Sequence, residues 1–413
     1  MSDLAAKVED VKLAQEKADK KQKVTPWDVA GAVEDGVDQG IDYEKIVKDF
    51  GSQMISTELL ERFEKVTGHR PHLLLRRGMF FSHRDLGLIL DLYEQKKPFF
   101  LYTGRGPSSD SLHLGHLIPF TFTKWLQDVF NVPLVIEMTD DEKFLFKHQL
   151  TVEETNGKFY TENAKDIIAV GFDVKKTFMF SDYDYMGGAF YKNVSRVSRQ
   201  ITYNTAKAVF GFNESDNIGK VHWASIQISA GLSDSYPHIF GAQKIPCLIP
   251  CAIDQDPYFR LSRDVSQKLR HPKQALIHAK FFPALQGASS KMSASADTSA
   301  VFMTDTQKQI QKKINKYAFS GGKATVEEQR ELGGDCEVDV AFQYITFFME
   351  SDEEVEEIRQ KYSSGEMLTG ELKQICIKLI QKFVGEFQEK RAKVTDEDVK
   401  EFAKVDRKFE WGA

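Results

Sequence analysis

Two histidines flank a leucine and a glycine in His113-Leu114-Gly115-His116, just after a turn that reads Thr103-Gly104-Arg105-Gly106-Pro107-Ser108-Ser109. The spacing puts both imidazoles on one side of a first helical turn, where free N–H groups and the helix dipole favour anions such as nucleotide phosphates. The two turn glycines let a backbone come close to a ligand. Gly115 makes sense if a nucleotide packs against the helix backbone, because glycine weakens a helix by roughly 1 kcal/mol. An isolated H-x-G-H is also explained as two polar helix-start residues. Far downstream, Gly287-Ala288-Ser289-Ser290-Lys291-Met292-Ser293-Ala294-Ser295 carries one lysine among small hydroxyl residues. A flexible loop of this kind suits charge that builds on a triphosphate during displacement at phosphorus. A solvated loop would have the same composition.

The elements that must hold these residues follow from periodicity. Apolar runs at 99–102, 134–138, 177–180 and 247–253 alternate with helical patterns at 114–129, from 139 to about 171, and at 259–269. Such βα alternation predicts a parallel sheet flanked by helices, with ligands at the carboxyl ends of the strands. Beyond Asp305 strand signals vanish, and 306–317 and 370–390 show helical spacing. The expected fold is α/β: a Rossmann-like catalytic core at 86–300, an N-terminal appendage at 26–85, a charged flexible leader at 1–25 and an all-helical domain at 301–413. On the helical pattern, Lys308, Lys312, Lys313 and Lys316 recur on one face, which solvation or an RNA contact would explain.

Composition bounds the function. The 413 residues exceed what one core usually organises. With 55 Lys+Arg against 61 Asp+Glu the formal charge is −6, so any nucleic-acid surface must be a local patch. Apolar runs stay far below the roughly 20 residues of a membrane helix. The first residues alternate acid, base and alanine and have neither a signal-peptide apolar stretch nor an Arg-rich, acid-poor presequence, so a cytoplasmic location is expected. Cys247, Cys251, Cys336 and Cys376 are too few and scattered for a disulfide framework or a zinc site, and a structural role is expected for all four.

The two motifs, in this order and about 175 residues apart, resemble the HIGH and KMSKS signatures of class I aminoacyl-tRNA synthetases. Ala294 replaces the second lysine, as in the KMSAS form typical of tryptophanyl enzymes, and leaves Lys291 as the loop's only cation. Together with Thr139-Asp140-Asp141-Glu142-Lys143, with Ala252-Ile253-Asp254-Gln255-Asp256-Pro257-Tyr258-Phe259 and with 281–287, these residues resemble the tryptophanyl-tRNA synthetase family of the eukaryotic cytoplasmic type, from about residue 70 to 405. The leader is shorter than the helical appendage of some animal members, which implies a fungal or protist-like form.

The resemblance implies ATP, L-tryptophan and tRNA(Trp) as substrates, Mg²⁺ bound with ATP and no protein metal ligands, a homodimer, and anticodon reading by the helical domain. It implies that His113, His116, Lys291 and Arg105 stabilise the reacting phosphates, and that Thr103, Gly104, Gly115, Asp254, Met292, Ser293 and Ser295 bind ATP. It assigns Tyr102 and Glu137 to the indole N–H, Gln227, Gln255 and Glu142 to the tryptophan ammonium and carboxylate, and Phe259 to a pocket wall. Three other readings stand beside it: a tyrosyl-tRNA synthetase, a small-molecule nucleotidyltransferase, and a non-catalytic RNA-binding or signalling descendant. The Tyr102/Glu137 pair, the length beyond Lys291 and the intact His113, His116 and Lys291 weigh against these in turn.

Overall fold

The structure, a computed structural model, describes residues 22–26, 29–34, 37–292 and 298–410. Most of the expected leader, and Ser293 and Ser295, lie outside them. A seven-stranded sheet organises the chain. Its strands are β1 (Gln53–Met54), β2 (Phe80–Arg84), β3 (Phe100–Arg105), β4 (Leu134–Met138), β5 (Thr177–Ser181), β6 (Cys247–Ala252) and β7 (Ala275–Ala279), in spatial order β1-β2-β7-β6-β3-β4-β5. The five strands from β7 to β5 run parallel; β1 and β2, from residues expected to form an appendage, add antiparallel.

The sequence makes this sheet for a plain reason. A parallel strand is buried on both faces and so must be apolar throughout, and in β4 and β5 every residue is buried. Leu101, Leu134 and Ile136 face one core, and Phe100, Tyr102, Val135 and Phe178 face the other, as alternation requires. Thr177 and Ser181 are polar ends of β5, and one charged residue breaks the apolar rule, Glu137, wholly buried within β4.

Helix α1 (Leu114–Phe130) follows β3 with His113 at its N-cap, and Asn131 ends it in the left-handed conformation. Next come α2 (Asp140–Phe146), α3 (Tyr160–Ile168), α4 (Ile218–Ala230) and α5 (Asp256–Lys268). The stretch expected as a flexible loop begins as a strand: β9 (Gly287–Lys291) pairs with β8 (Pro283–Ala284). Its continuation returns to the histidine turn, where Leu114 donates its N–H to Val301 at 3.0 Å and Met303 to Leu112 at 2.9 Å.

Beyond Asp305 the described elements are helices, among them α6 (Gln307–Tyr317), α7 (Val340–Phe348), α8 (Asp352–Ser363), α9 (Thr369–Arg391) and α10 (Asp396–Ala403). They pack onto the sheet's helices. Arg70, Arg76 and Arg77 converge on Asp352 at the start of α8, and Arg391 of α9 binds Asp166 and Glu162 of α3. Lys313 is buried against Asp305 at 2.8 Å, so of the four lysines on α6 only Lys308, Lys312 and Lys316 are exposed. No described helix is long and apolar enough to cross a membrane. The four cysteines carry free thiols.

A buried ion pair fixes α5 to the sheet. Arg84 of β2 makes two bonds, of 2.8 and 2.9 Å, to the fully buried Asp256, and His278 of β7 lies 3.0 Å from the same carboxylate. Burial alone would raise the Asp256 pKa; His278 and Arg84 reverse this and hold it at about 2. A depressed carboxylate pKa stabilises above the unfolded value near 4, and that stability is lost as pH falls through about 2. Asp256→Ala leaves Arg84 without its carboxylate, with only the Phe50 and Gly51 carbonyls as partners, and should destabilise by about 3–5 kcal/mol in urea denaturation at pH 7. The gap between wild type and variant should close between about pH 4 and pH 2; a gap that persists unchanged there would refute the assignment.

Candidate active site

The sheet opens where its strand order reverses. β3 and β4 are in register over five residues, Leu101–Arg105 against Leu134–Met138. β3 and β6 pair only as Phe100–Cys247 and Leu101–Leu248, after which they diverge. A cleft of about 660 Å³ occupies the gap, at the position where doubly wound folds bind ligands.

Strand β3 lays Tyr102, Thr103, Gly104 and Arg105 along this cleft, and α1 brings Gly115 and His116. Asp254 and Gln255, which follow β6, and Phe259 on α5 form the opposite wall. Gln227 on α4, Glu142 on α2 and Met292 after β9 complete the predicted set that lines it. His113 lies beside the cleft in an adjoining apolar cavity of about 60 Å³, which it shares with Gly115, His116 and Met292. The two sequence motifs therefore meet there. The His113 and His116 rings stack with centroids 3.5 Å apart. Gly115 sits in a tight place: a Cβ would lie 3.3 Å from both the His113 ring and Phe282, so these neighbours would have to shift by a few tenths of an ångström. Lys291 reaches this neighbourhood through its backbone in β9.

Glu137 sits behind the cleft wall, where Tyr102 and Gln227 cover it. The Tyr102 hydroxyl donates to Glu137 Oε2 and accepts from Gln227 Nε2; Gln227 also reaches Glu137 Oε2 at 3.3 Å. Burial pushes the Glu137 carboxyl well above the usual carboxylate range, the Tyr102 hydrogen bond opposes this, and Asp141 adds to it. The trio forms a deep polar foot to the cleft, with Tyr102 and Gln227 lining it and Glu137 behind them.

The sequence reading missed several lining groups. Trp223 stands one turn before Gln227 on α4 and donates its indole N–H to Asp141 at 3.0 Å; i,i+4 spacing from Gln227 is the signal that would have found it. Tyr258 adds aromatic wall. Lys143 and Lys147 bring cations that the acidic run 140–142 concealed. Gly106 makes room for Lys143, whose Cε would lie 1.9 Å from a Cβ there. Arg105 bonds Asn163 at 3.1 Å, and although burial pulls its pKa down to about 10 it stays cationic at neutral pH. The cleft thus combines aromatic surface with cations suited to phosphate oxygens.

Known proteins resemble this arrangement over most of its length. The family described as tRNA synthetases class I (W and Y) matches residues 94–385. The chain is 63% identical over 395 residues to the cytoplasmic tryptophan–tRNA ligase of Saccharomyces cerevisiae, covering 95% of this chain and 91% of that protein. It is 62% identical to that of Schizosaccharomyces pombe, covering 94% and 99%. The crystal structure of Plasmodium falciparum tryptophanyl-tRNA synthetase superposes with a TM-score of 0.83 at 46% identity, covering 88% of this chain and 95% of that one.

Tyr102→Phe should lower stability by about 1–3 kcal/mol, because the buried Glu137 and Gln227 each lose a partner that water cannot replace. Urea denaturation of the two proteins checks this. A free energy of unfolding unchanged by the substitution would mean that the hydroxyl is not their partner.

Proposed function

Since the chain belongs to the tRNA synthetases of class I (W and Y), we infer that its reaction is that of a tryptophan–tRNA ligase. It activates L-tryptophan with ATP as the adenylate, releases pyrophosphate, and transfers the amino acid to tRNA(Trp) in the cytoplasm. The observation that carries this reading is the cleft itself, in which aromatic walls and a polar foot adjoin the histidine turn and its cations. Tyrosine, the family's other substrate, is disfavoured by the names of the relatives.

In this reading the tryptophan carboxylate attacks the α-phosphorus of ATP while the bond to the β-phosphate oxygen breaks and its electrons leave with pyrophosphate. The protein's part is positioning and charge stabilisation. His113 and His116 face the phosphates from the start of α1. Arg105 and Lys291 take up charge as it develops on the departing group, and Ser293 and Ser295 add hydroxyl donors. Thr103, Gly104, Gly115, Asp254 and Met292 seat the nucleotide. Mg²⁺ arrives with the triphosphate as part of the substrate.

Tyr102 and Glu137 form the acceptor for the indole N–H, and the Tyr102–Glu137 hydrogen bond ties the two together. Gln227, Gln255 and Glu142 hold the ammonium and carboxylate, and Phe259 walls the ring. The helical part at 301–413 reads the anticodon, the chain works as a homodimer, and 86–300 is its catalytic domain.

ATP–pyrophosphate exchange with each of the twenty amino acids tests the reading. Exchange with tryptophan alone is expected; exchange with tyrosine would overturn the pocket assignment, and none with any amino acid would overturn catalysis. Lys291→Ala should lower kcat by about 100-fold or more with tryptophan binding nearly intact, as befits a group felt mainly in the transition state. Equal single-turnover rates would remove Lys291 from that role. Glu137→Ala should raise the tryptophan KM by about tenfold, equivalent to roughly 1.4 kcal/mol, and an unchanged KM in steady-state kinetics would take Glu137 out of the pocket.

A further inference from the structure

Behind the Tyr102–Glu137–Gln227 trio lies a second carboxyl that the reading above does not use. Asp182 is the first residue after β5, next to the end of β4, and is wholly buried. Neither of its oxygens receives an N–H or hydroxyl donor, and neither does Glu137 Oε1. Asp182 brings one oxygen within 4.8 Å of oxygens of Asp140 and Asp141, and hydrogen bonding from Asp182 pulls the carboxyl pKa values of Glu137 and Asp141 down against the effect of burial. Among the described residues, the charges that act on it most strongly are those of Glu137, Asp141 and Asp140, and the phenols of Tyr102, Tyr183 and Tyr236 feel its charge in turn; all of these are acids.

Carboxylate oxygens do not stay in contact inside a protein unless something positive lies between them, and a proton is the smallest such thing. The neighbours decide where it goes. Asp141 Oδ1 already accepts from Trp223 Nε1 at 3.0 Å and from the Glu142 N–H at 2.6 Å. Asp140 is likewise served by Ser181, by Asn156 at 2.9 Å and by the Asp182 N–H at 3.0 Å. Glu137 Oε1 has no such donor, while Oε2 is engaged by Tyr102 and Gln227. Asp140, Asp141 and Asp182 do bring one oxygen each within 4.8 Å of one another, as a cation site would. The donors on Asp140 and Asp141 already supply what a cation would supply to those two.

We propose that Asp182 is a specificity-determining positioning residue: its neutral carboxyl donates a hydrogen bond to Glu137 Oε1 and so turns Glu137 Oε2 toward Tyr102, Gln227 and the indole N–H. Asp182 never touches the substrate. It makes Glu137 a fixed acceptor where an unanchored carboxyl could rotate away or take up the proton itself and become a donor, which the indole N–H could not use. The inference rests on the tryptophan pocket assigned above.

The test compares Asp182→Asn, which keeps a neutral donor of the same shape, with Asp182→Ala. The readout is pyrophosphate exchange with tryptophan and with its benzothiophene analogue, in which sulfur replaces the indole N–H. Asp182→Asn should keep the tryptophan KM within about twofold, whereas Asp182→Ala should raise it about tenfold with the ATP KM and kcat little changed, roughly 1.4 kcal/mol by the usual conversion. The preference for tryptophan over the analogue should fall by a similar factor in Asp182→Ala alone; damage that is merely structural would weaken both ligands equally. If Asp182→Ala does not fold, Asp182→Asn still decides. A loss of tryptophan preference in that variant would mean that the negative charge, or a cation held by it, is required, and would overturn the proposal. Equal preference in all three proteins would also overturn it. If Glu137→Ala itself leaves the tryptophan KM unchanged, the pocket assignment fails, which is a separate result from failure at Asp182 alone.

Discussion

The divergence of β3 from β6 is the constraint on which the rest of the molecule depends. Two residue pairs join these strands where five join each to its other neighbour. Chain direction explains this. The connections after β3 and β6 leave in opposite senses, so nothing fills the space between their carboxyl ends. α1 and α5 then start on either side of one gap, which brings His116 opposite Asp254, Gln255 and Phe259. The fixed start of α5 matters for the same reason, since Arg84 and His278 hold Asp256 directly beside Gln255.

Around that gap charge is sorted by depth. Cationic Arg105, Lys143 and Lys147 line the cleft beside the carboxyls of Glu142 and Asp254, and four further acids, Glu137, Asp140, Asp141 and Asp182, lie buried behind it. One carboxylate links the helical domain directly to the histidine turn. Asp166 accepts the Leu112 N–H at 3.2 Å, immediately before the histidine turn, and binds Arg391 of α9 at 2.7 Å. Anything that shifts α9 against α3 therefore acts on the backbone that presents His113.

The parts that sequence reading resolved are those governed by local periodicity. Uninterrupted apolar strands with helical patterns between them announce a parallel sheet, and the residues at strand ends proved to line the cleft, from Tyr102–Arg105 to Asp254 and Gln255. The parts it did not resolve depend on partners far away in the chain. β1 has only two residues, and β2 reads Phe80-Phe81-Ser82-His83-Arg84, polar in its second half because Arg84 and His278 meet Asp256 across strands. β9 has no apolar alternation, and pairing with Pro283–Ala284 makes it a strand. Lys313 keeps helical spacing with its exposed neighbours yet is buried by Asp305, a pairing that periodicity cannot report. Asp182 follows an apolar run and carries no signal in the sequence; its environment is created by β4, more than forty residues earlier.

Selectivity in such a cleft comes more from the cost of disappointing buried polar atoms than from the attraction of satisfied ones. Tyr102, Glu137 and Gln227 are removed from water, so a ring without a donor at the right depth leaves them one partner short, and the penalty exceeds what an extra apolar contact could return. The aromatic walls cannot make that distinction, because any flat ring gains from them. In the proposed tryptophan pocket Trp223, Tyr258 and Phe259 set size and depth, whereas the trio sets the demand for a donor. A demand of that kind is only as sharp as its acceptor is rigid. Rigidity at Glu137 has to come from within the protein, and in the proposed arrangement Asp182 supplies it at the otherwise unpartnered Oε1.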